Sequence, residues 1–162
     1  MRVNRQRSSS AKGPTVRIRR ILVALAMTPA IFGIAAPAYA AAPAVSFTKI
    51  QYNSPGTDTR SNASLNAEWV RLTNNTSKAI QLKNWTVRDK SNHVFKLPTV
   101  TVAARANLYI HTGKGTAYSG HIFWQSGNYI WNNTGDTATL RNTAGKTIDT
   151  CTWKSGTAPT NC

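Results

Sequence analysis

Ten side chains in this 162-residue chain could carry acid–base, metal or nucleophilic chemistry: Asp58, Glu68, Asp89, Asp136, Asp149, His93, His111, His121, Cys151 and Cys162. Zinc takes three or four N, O or S ligands. A zinc site would have to draw on the three histidines together with Asp58 or Asp136. No pair among them stands at a recognised ligand spacing, since His93 falls in an expected turn and His111 and His121 at expected strand ends. The expectation is exposed histidines and no metal. Glycoside hydrolysis would need two of the five acids placed across a sugar ring. No G-x-S-x-G elbow, phosphate-binding P-loop or H-E-x-x-H helix occurs. A thiol nucleophile must be free, but an even pair of cysteines in an oxidising compartment reads as a disulfide. Closing the short Cys151–Cys162 loop would contribute roughly 3 kcal/mol, less if strained. Two thiols so spaced, with no histidine nearby, make a poor zinc site. These absences predict a protein that is not an enzyme and carries no cofactor.

Binding chemistry has more to draw on. The segment Tyr109–Trp131 holds Tyr118, His121, Phe123, Trp124, Tyr129 and Trp131 among Gly and Ser. Exposed aromatic rings stack on sugar faces or on bases, and Lys114 and Arg105 would add charge nearby. A small β domain also needs aromatic mass in its core. On that balance Phe123, Trp124 and Trp131 are expected inside, and Tyr118 and Tyr129 outside.

Charge is distributed unevenly. Arg2, Arg5, Arg7, Lys12, Arg17, Arg19 and Arg20 precede Ile21, and every acid follows it. The basic head leads into the apolar run Ile21–Ile34 and then the small-residue box Ala38-Tyr39-Ala40. That order is the three-part pattern of an export signal, with cleavage expected after Ala40. The alternative is an uncleaved anchor, but the run is short for a span of about 20 residues and Pro29 interrupts it. Arg19-Arg20 alone is too little to establish the twin-arginine route over general secretion. The expected product is a secreted chain of residues 41–162 with no membrane anchor, holding thirteen basic and five acidic residues, a net charge of +8. Such a charge favours anionic polymers, namely nucleic acid, phosphate-bearing wall polymers or acidic lipid head groups. It equally serves solubility alone.

These side chains would be positioned by strands. After Ala40, short β-rich runs alternate with Asn, Thr, Ser and Gly. Strands are predicted near 45–52, 68–73, 80–88, 94–97, 108–111, 121–124, 137–142 and 146–153. Trp69 and Arg71 would face one way and Val70 and Leu72 the other. Ala138 and Leu140 would face in, with Thr137, Thr139 and Arg141 toward water. Turns are expected at Asn53-Ser-Pro-Gly56, where Pro presets φ and Gly supplies φ > 0, and at 74–75, 89–92, 133–136 and 144–145, the last closing a hairpin. Residues 53–66 read as a long polar loop. About eight strands at this spacing predict an all-β, two-sheet antiparallel sandwich, with a barrel as alternative. The expected core is Phe47, Ile50, Trp69, Leu72, Ile80, Leu82, Trp85, Val87, Phe95, Leu97, Leu108, Ile110, Leu140 and Ile148, enough for one domain. The expected organisation is a signal peptide over 1–40, a linker over 41–44, the sandwich over 45–150 and a disulfide-tied tail over 151–162. Asn-x-Ser/Thr triplets at Asn62, Asn74, Asn75, Asn84 and Asn132 follow from the loop composition.

Three ordered motifs carry a family resemblance. They are Glu68-Trp69-Val70-Arg71-Leu72-Thr73-Asn74, then Leu82-Lys83-Asn84-Trp85-Thr86-Val87-Arg88-Asp89, and Trp131-Asn132-Asn133-Thr134-Gly135-Asp136 leading through Leu140 and Gly145 to Ile148-Asp149. The chain resembles the lamin tail domain over roughly Val45–Asp149, and the resemblance implies an immunoglobulin-like β-sandwich. The family often places a Pro-Gly turn before the Tyr109 strand, where this chain has Ala103-Ala104-Arg105-Ala106. No catalytic residues belong to the family, so none transfer, and a fold does not by itself define a function. The resemblance implies an exported binding module, since the family occurs in many exported bacterial proteins and there often accompanies nucleases or other exported hydrolases. Trp69, Trp85 and Trp131 are expected in the core, Glu68 as a local cap or pair, Asn132, Asn133 and Asp136 as loop residues satisfying backbone amides, and Gly135 at φ > 0. Three functions remain open: docking on an anionic cell-envelope polymer or nucleic acid, binding a protein partner in the envelope through a sheet edge, and a small histidine-dependent metallohydrolase.

Overall fold

The computed structural model describes residues 41–162, with Met1 and Gly13 as isolated positions before them. The expected export signal and its Ala38–Ala40 cleavage box lie outside the described residues. Alternation of apolar and polar side chains builds β1 (Val45–Gln51), β2 (Trp69–Asn74), β3 (Ile80–Gln81), β4 (Thr86–Arg88), β5 (Val94–Lys96), β6 (Thr101–Val102), β7 (Asn107–His111), β8 (His121–Phe123), β9 (Gly135–Arg141), β10 (Thr147–Lys154) and β11 (Thr160–Asn161). A five-stranded sheet runs β11-β1-β2-β7-β8, a four-stranded sheet runs β10-β9-β4-β5, and β3-β6 forms a two-stranded ribbon. The inward side chains of the first sheet (Val45, Phe47, Ile50, Val70, Leu72, Leu108, Ile110, Ile122) meet those of the second (Val87, Ala138, Leu140, Cys151, Trp153) in one buried cluster. Two sheets with alternating inner faces around one core are an immunoglobulin-like sandwich.

Several expectations needed revision. The stretch 80–88 is two strands, because Asn84 turns the chain at φ 65° between β3 and β4. Trp69 is not in the core. It shares the outward parity of Arg71 and lies half-buried on the open face, while Val70 and Leu72 are fully buried. β8 pairs parallel to β7, so the five-stranded sheet is not wholly antiparallel. The polar loop contains a helix, α1 (Asn62–Ala67), capped by Ser61, whose side chain accepts from Ser64 N, as N-cap serines do. Polar outward positions with a single buried residue, Leu65, give too weak a period to announce so short a helix.

Polar motif residues hold the ends of the sheets. Asp136 is buried and accepts from Lys90 N, Asn132 N, Asn132 Nδ2 and Thr137 N, joining the β4–β5 turn to β9. Asn133 instead donates to Asn53 Oδ1 at 3.2 Å. Asp89 accepts from His93 N and contacts His93 Nδ1, both at 2.6 Å. Gly135 sits at φ 136°, where an added Cβ would stand 3.1 Å from Trp153 O. Glu68 caps the end of α1 through its backbone, its N–H donating to Leu65 O at 3.2 Å, while its carboxylate reaches farther and accepts from Ile130 N at 3.1 Å and Trp131 N at 3.0 Å, 62 and 63 residues away. Trp131 is buried, with its ring edge-on to Trp124 and Trp153.

The Cys151–Cys162 disulfide is formed. Cys151 lies on β10 of the four-stranded sheet, while Cys162 follows β11, which covers the β1 edge of the other. The bond therefore staples the two sheets and holds an edge strand of only two residues in place. Reduction, or a Cys151→Ser/Cys162→Ser double change, is expected to lower unfolding free energy by roughly 2–3 kcal/mol and to expose the β1 edge to intermolecular pairing. Urea unfolding with and without reductant measures the first effect and light scattering the second; an unchanged midpoint would refute the staple.

Candidate binding face

The outward face of the five-stranded sheet collects the aromatic, histidine and cationic side chains. Strand parity turns Trp69, Arg71 and Thr73 of β2, Asn107, Tyr109 and His111 of β7, and His121 and Phe123 of β8 away from the core. Register sets them in rows. Lys49 stands opposite Arg71, Arg71 opposite Tyr109, and Tyr109 opposite His121. The neighbouring row runs Trp69, His111, Phe123. Two cations directly opposed across strands repel each other, and no acid occupies either row.

The rings form an ordered stack. Tyr118 lies on His121 with centroids 4.4 Å apart and planes at 16°, and His121 lies on Tyr109 at 4.9 Å and 9°. Trp69 meets Tyr109 edge-on at 5.2 Å. Tyr118 ends the stack with its far side open, and it is the one exposed aromatic side chain among the described residues, at 59 % accessibility. Phe123, expected in the core, stands on this outer face against His111 at 5.1 Å.

Hydrogen bonds fix the protonation pattern. His111 Nδ1 must donate to Asn66 O at 2.8 Å, since a carbonyl only accepts. In the neutral His111 tautomer Nε2 accepts, and His121 Nδ1 donates to it at 2.9 Å, which leaves a lone pair on His121 Nε2. Burial and then the neighbouring His111 hold His121 below its usual 6.5. A polar relay runs beside it. Arg71 Nε donates to Thr48 Oγ1 at 2.8 Å, and Thr73 gives its one proton to Asn107 Oδ1 at 2.7 Å. Thr48 must then donate to Thr73, at 2.7 Å.

Of the residues singled out by sequence, the structure brings Tyr118 and Arg105 to one end of this face. Arg105 stands at φ 60° in the turn that Ala106 N closes onto Ala103 O at 3.2 Å. The Ala-Ala-Arg-Ala segment thus makes the reversal where the family has Pro-Gly. Lys114 lies at the other end of β7, its backbone held by Asn62 and Asn66 of α1. Tyr129 is half-buried, with its hydroxyl on Ser64 Oγ at 2.6 Å. Sequence reasoning missed Trp69, Tyr109, Arg71 and Lys49 as surface residues, although the parity of Trp69 and Arg71 against Val70 and Leu72 was the available signal.

Among the described residues no acid–base machine assembles. Asp89 and His93 form a dyad, but no hydroxyl or thiol is bonded to the remaining His93 nitrogen among the described residues. Nor do three or more His, Cys, Asp or Glu side chains gather in a metal-sized cluster among those residues, and none of their helices is long and apolar enough to cross a membrane.

Fold and face together define a class: an immunoglobulin-like β-sandwich module whose open sheet face carries aromatic and cationic side chains. The lamin tail domain family model matches residues 38–155, and the chain belongs to that family. No curated protein matches the sequence.

Proposed function

We propose that the chain is an exported, non-catalytic module that docks on an anionic polymer at the cell surface through the open face of its five-stranded sheet. The observation that carries this reading is the Lys49–Arg71 pair, two like charges held side by side on an aromatic face with no acid to neutralise them. An anionic ligand supplies the missing counter-charge. The net +8 of residues 41–162 acts in the same direction over a longer range. Export is supported by the disulfide and by the basic–apolar–small order of residues 1–40. The buried acids Glu68, Asp89 and Asp136 are engaged by backbone amides, which supports a structural rather than a catalytic role for them. A protein partner is the second reading. It is favoured by β5, the edge of the four-stranded sheet, where Val94 is 43 % exposed and strand addition has a template.

The test is co-sedimentation with isolated cell walls and gel shift with DNA, each over a salt series. Retention should fall with salt, and Lys49→Gln/Arg71→Gln should weaken it and reduce the log–log salt slope by about 2. Retention that ignores both salt and the double change would overturn the proposal. Capture of one protein with no polymer bound would favour the second reading.

A further inference from the structure

At the β8 end of the open face, a cleft of about 200 Å³ lies between the Ala103–Ala106 turn and the Tyr118–His121 turn. Resting on the docking reading above, we infer that this cleft is a subsite for one acidic sugar unit, a pyranose bearing a carboxylate or phosphate, so that the polymer is an anionic glycan.

Four observations converge. The wall of the cleft includes Tyr118, the exposed end of the ring stack. Its inner side is covered by His121, which fixes the ring and leaves one face for a ligand. The volume is below the roughly 300–1,000 Å³ of sites that enclose drug-sized ligands. One ring enters, and the rest of the chain must run on over open surface. The remaining lining mixes Ala103, Ala106 and Ile122 with Asn107 and Ser119. One aromatic face with small aliphatic groups around it suits the C–H face of a sugar; a base is held best with π-surfaces on which successive bases can stack. The hydroxyls of the sugar need polar partners. Asn107 has its Oδ1 occupied by Thr73, so its amide N–H groups remain to donate. Finally, Arg105 stands exposed on the rim turn, between Ala104 and Ala106, in a left-handed conformation at φ 60°. A bulky residue at such a φ is strained, and strain of this kind is retained where the side chain has a use. Here that use is a cation beside a ring site.

The experiment is an amide-resolved NMR titration of the disulfide-intact protein with hexagalacturonate, with neutral cellohexaose and with a (dT)12 oligonucleotide. Hexagalacturonate should shift Asn107, Ser119 and Gly120 and bind more tightly than cellohexaose. Tyr118→Ala should lower the thermal midpoint only slightly, by the stacking lost with His121, and weaken binding about tenfold. Arg105→Gly relieves the positive φ, so it should raise the thermal midpoint while weakening hexagalacturonate several-fold and cellohexaose little. That opposite movement of stability and affinity is not expected of a merely structural arginine. If (dT)12 shifts the cleft amides with the same Tyr118 dependence and the sugars do not, the sugar assignment is overturned. If salt-sensitive wall retention persists while no oligosaccharide moves these amides, the cleft inference fails and polymer docking stands. If neither wall nor oligosaccharide binds, both fail.

Discussion

Replacing Asn74 by alanine is expected to lower unfolding free energy by about 4 kcal/mol. Asn74 closes β2 and is fully buried. Its Nδ2 donates to Lys78 O at 2.7 Å and to Val102 O and Ala103 O, both at 3.0 Å. Its Oδ1 accepts from Thr76 N at 2.9 Å and Thr76 Oγ1 at 2.8 Å. One side chain thus ties together the end of β2, the turn after it, β6 of the ribbon and the turn that carries Arg105. Alanine deletes the hub and leaves backbone groups without partners, each worth about 1–3 kcal/mol when buried; water entering the gap recovers part of that. Asn74→Asp should be at least as damaging, because a carboxylate would face three carbonyl oxygens. Urea unfolding of the two variants decides it: a loss below about 1 kcal/mol for either would mean that the hub is redundant. Both changes should also broaden the NMR signals of the 103–106 turn, which the hub anchors.

The role of Asn74 shows where sequence reading stops. Its motif was visible, and so was the strand it ends. The three carbonyls it serves belong to residues 78, 102 and 103, and nothing in their side chains records the contact. The same holds for Glu68, whose partners are backbone amides of Ile130 and Trp131. Backbone groups are the same in every residue, so pairing to them leaves no compositional trace. Strand positions, by contrast, were legible because burial acts on side chains with a period of two. β2 and β9 alternate cleanly between buried and half-buried residues, and β7 does so after its exposed first residue, Asn107. β6 and β11, each two residues long, are too short for any period to register. The sheet assignment of β11 depends on the disulfide that carries the chain end across.

The binding face was half legible. Tyr118 stood out as an aromatic among Gly and Ser, and its exposure was expected because Phe123, Trp124 and Trp131 were assigned to the core. Trp69 was assigned to the core by its size, against its own parity with Arg71. Large aromatic residues are often core, but parity within a strand is a geometric constraint and size is only a tendency. The rows joining Lys49, Arg71, Tyr109 and His121 require the register of four strands, including a parallel pairing across a loop, and register is a tertiary property.

Glu68 should make the fold less stable as pH rises, by about 3 kcal/mol across its titration. The carboxyl is fully buried and pushed up to about 7 from 4.5, first by burial, with the charge of Asp58 adding to it. The nearby Thr112 hydroxyl, which has no well-formed hydrogen bond of its own, and the amides of Ile130 and Trp131 oppose the shift without cancelling it. A carboxyl whose pKa is higher folded than unfolded binds its proton more tightly in the native state. Its stabilising contribution is therefore complete below pH 4.5 and is lost as pH climbs through 7, the reverse of an acid held in a salt bridge. Glu68→Gln supplies the control. The amide is neutral at every pH, and its NH2 group cannot accept from the second backbone amide as the hydroxyl oxygen of the protonated carboxyl can, so the variant should be about 1 kcal/mol weaker than the parent at pH 4.5. Above pH 8 the parent alone carries a buried charge, and the variant should be the more stable of the two. Unfolding free energies of both proteins from pH 4 to 9 give a difference curve in which the other titrating groups cancel. A curve that crosses zero near neutrality establishes a proton shared between folding and Glu68; a parent that instead gains on the variant as pH rises through 4.5 and then runs parallel to it would mean that the amides of Ile130 and Trp131 hold the carboxylate ionised throughout.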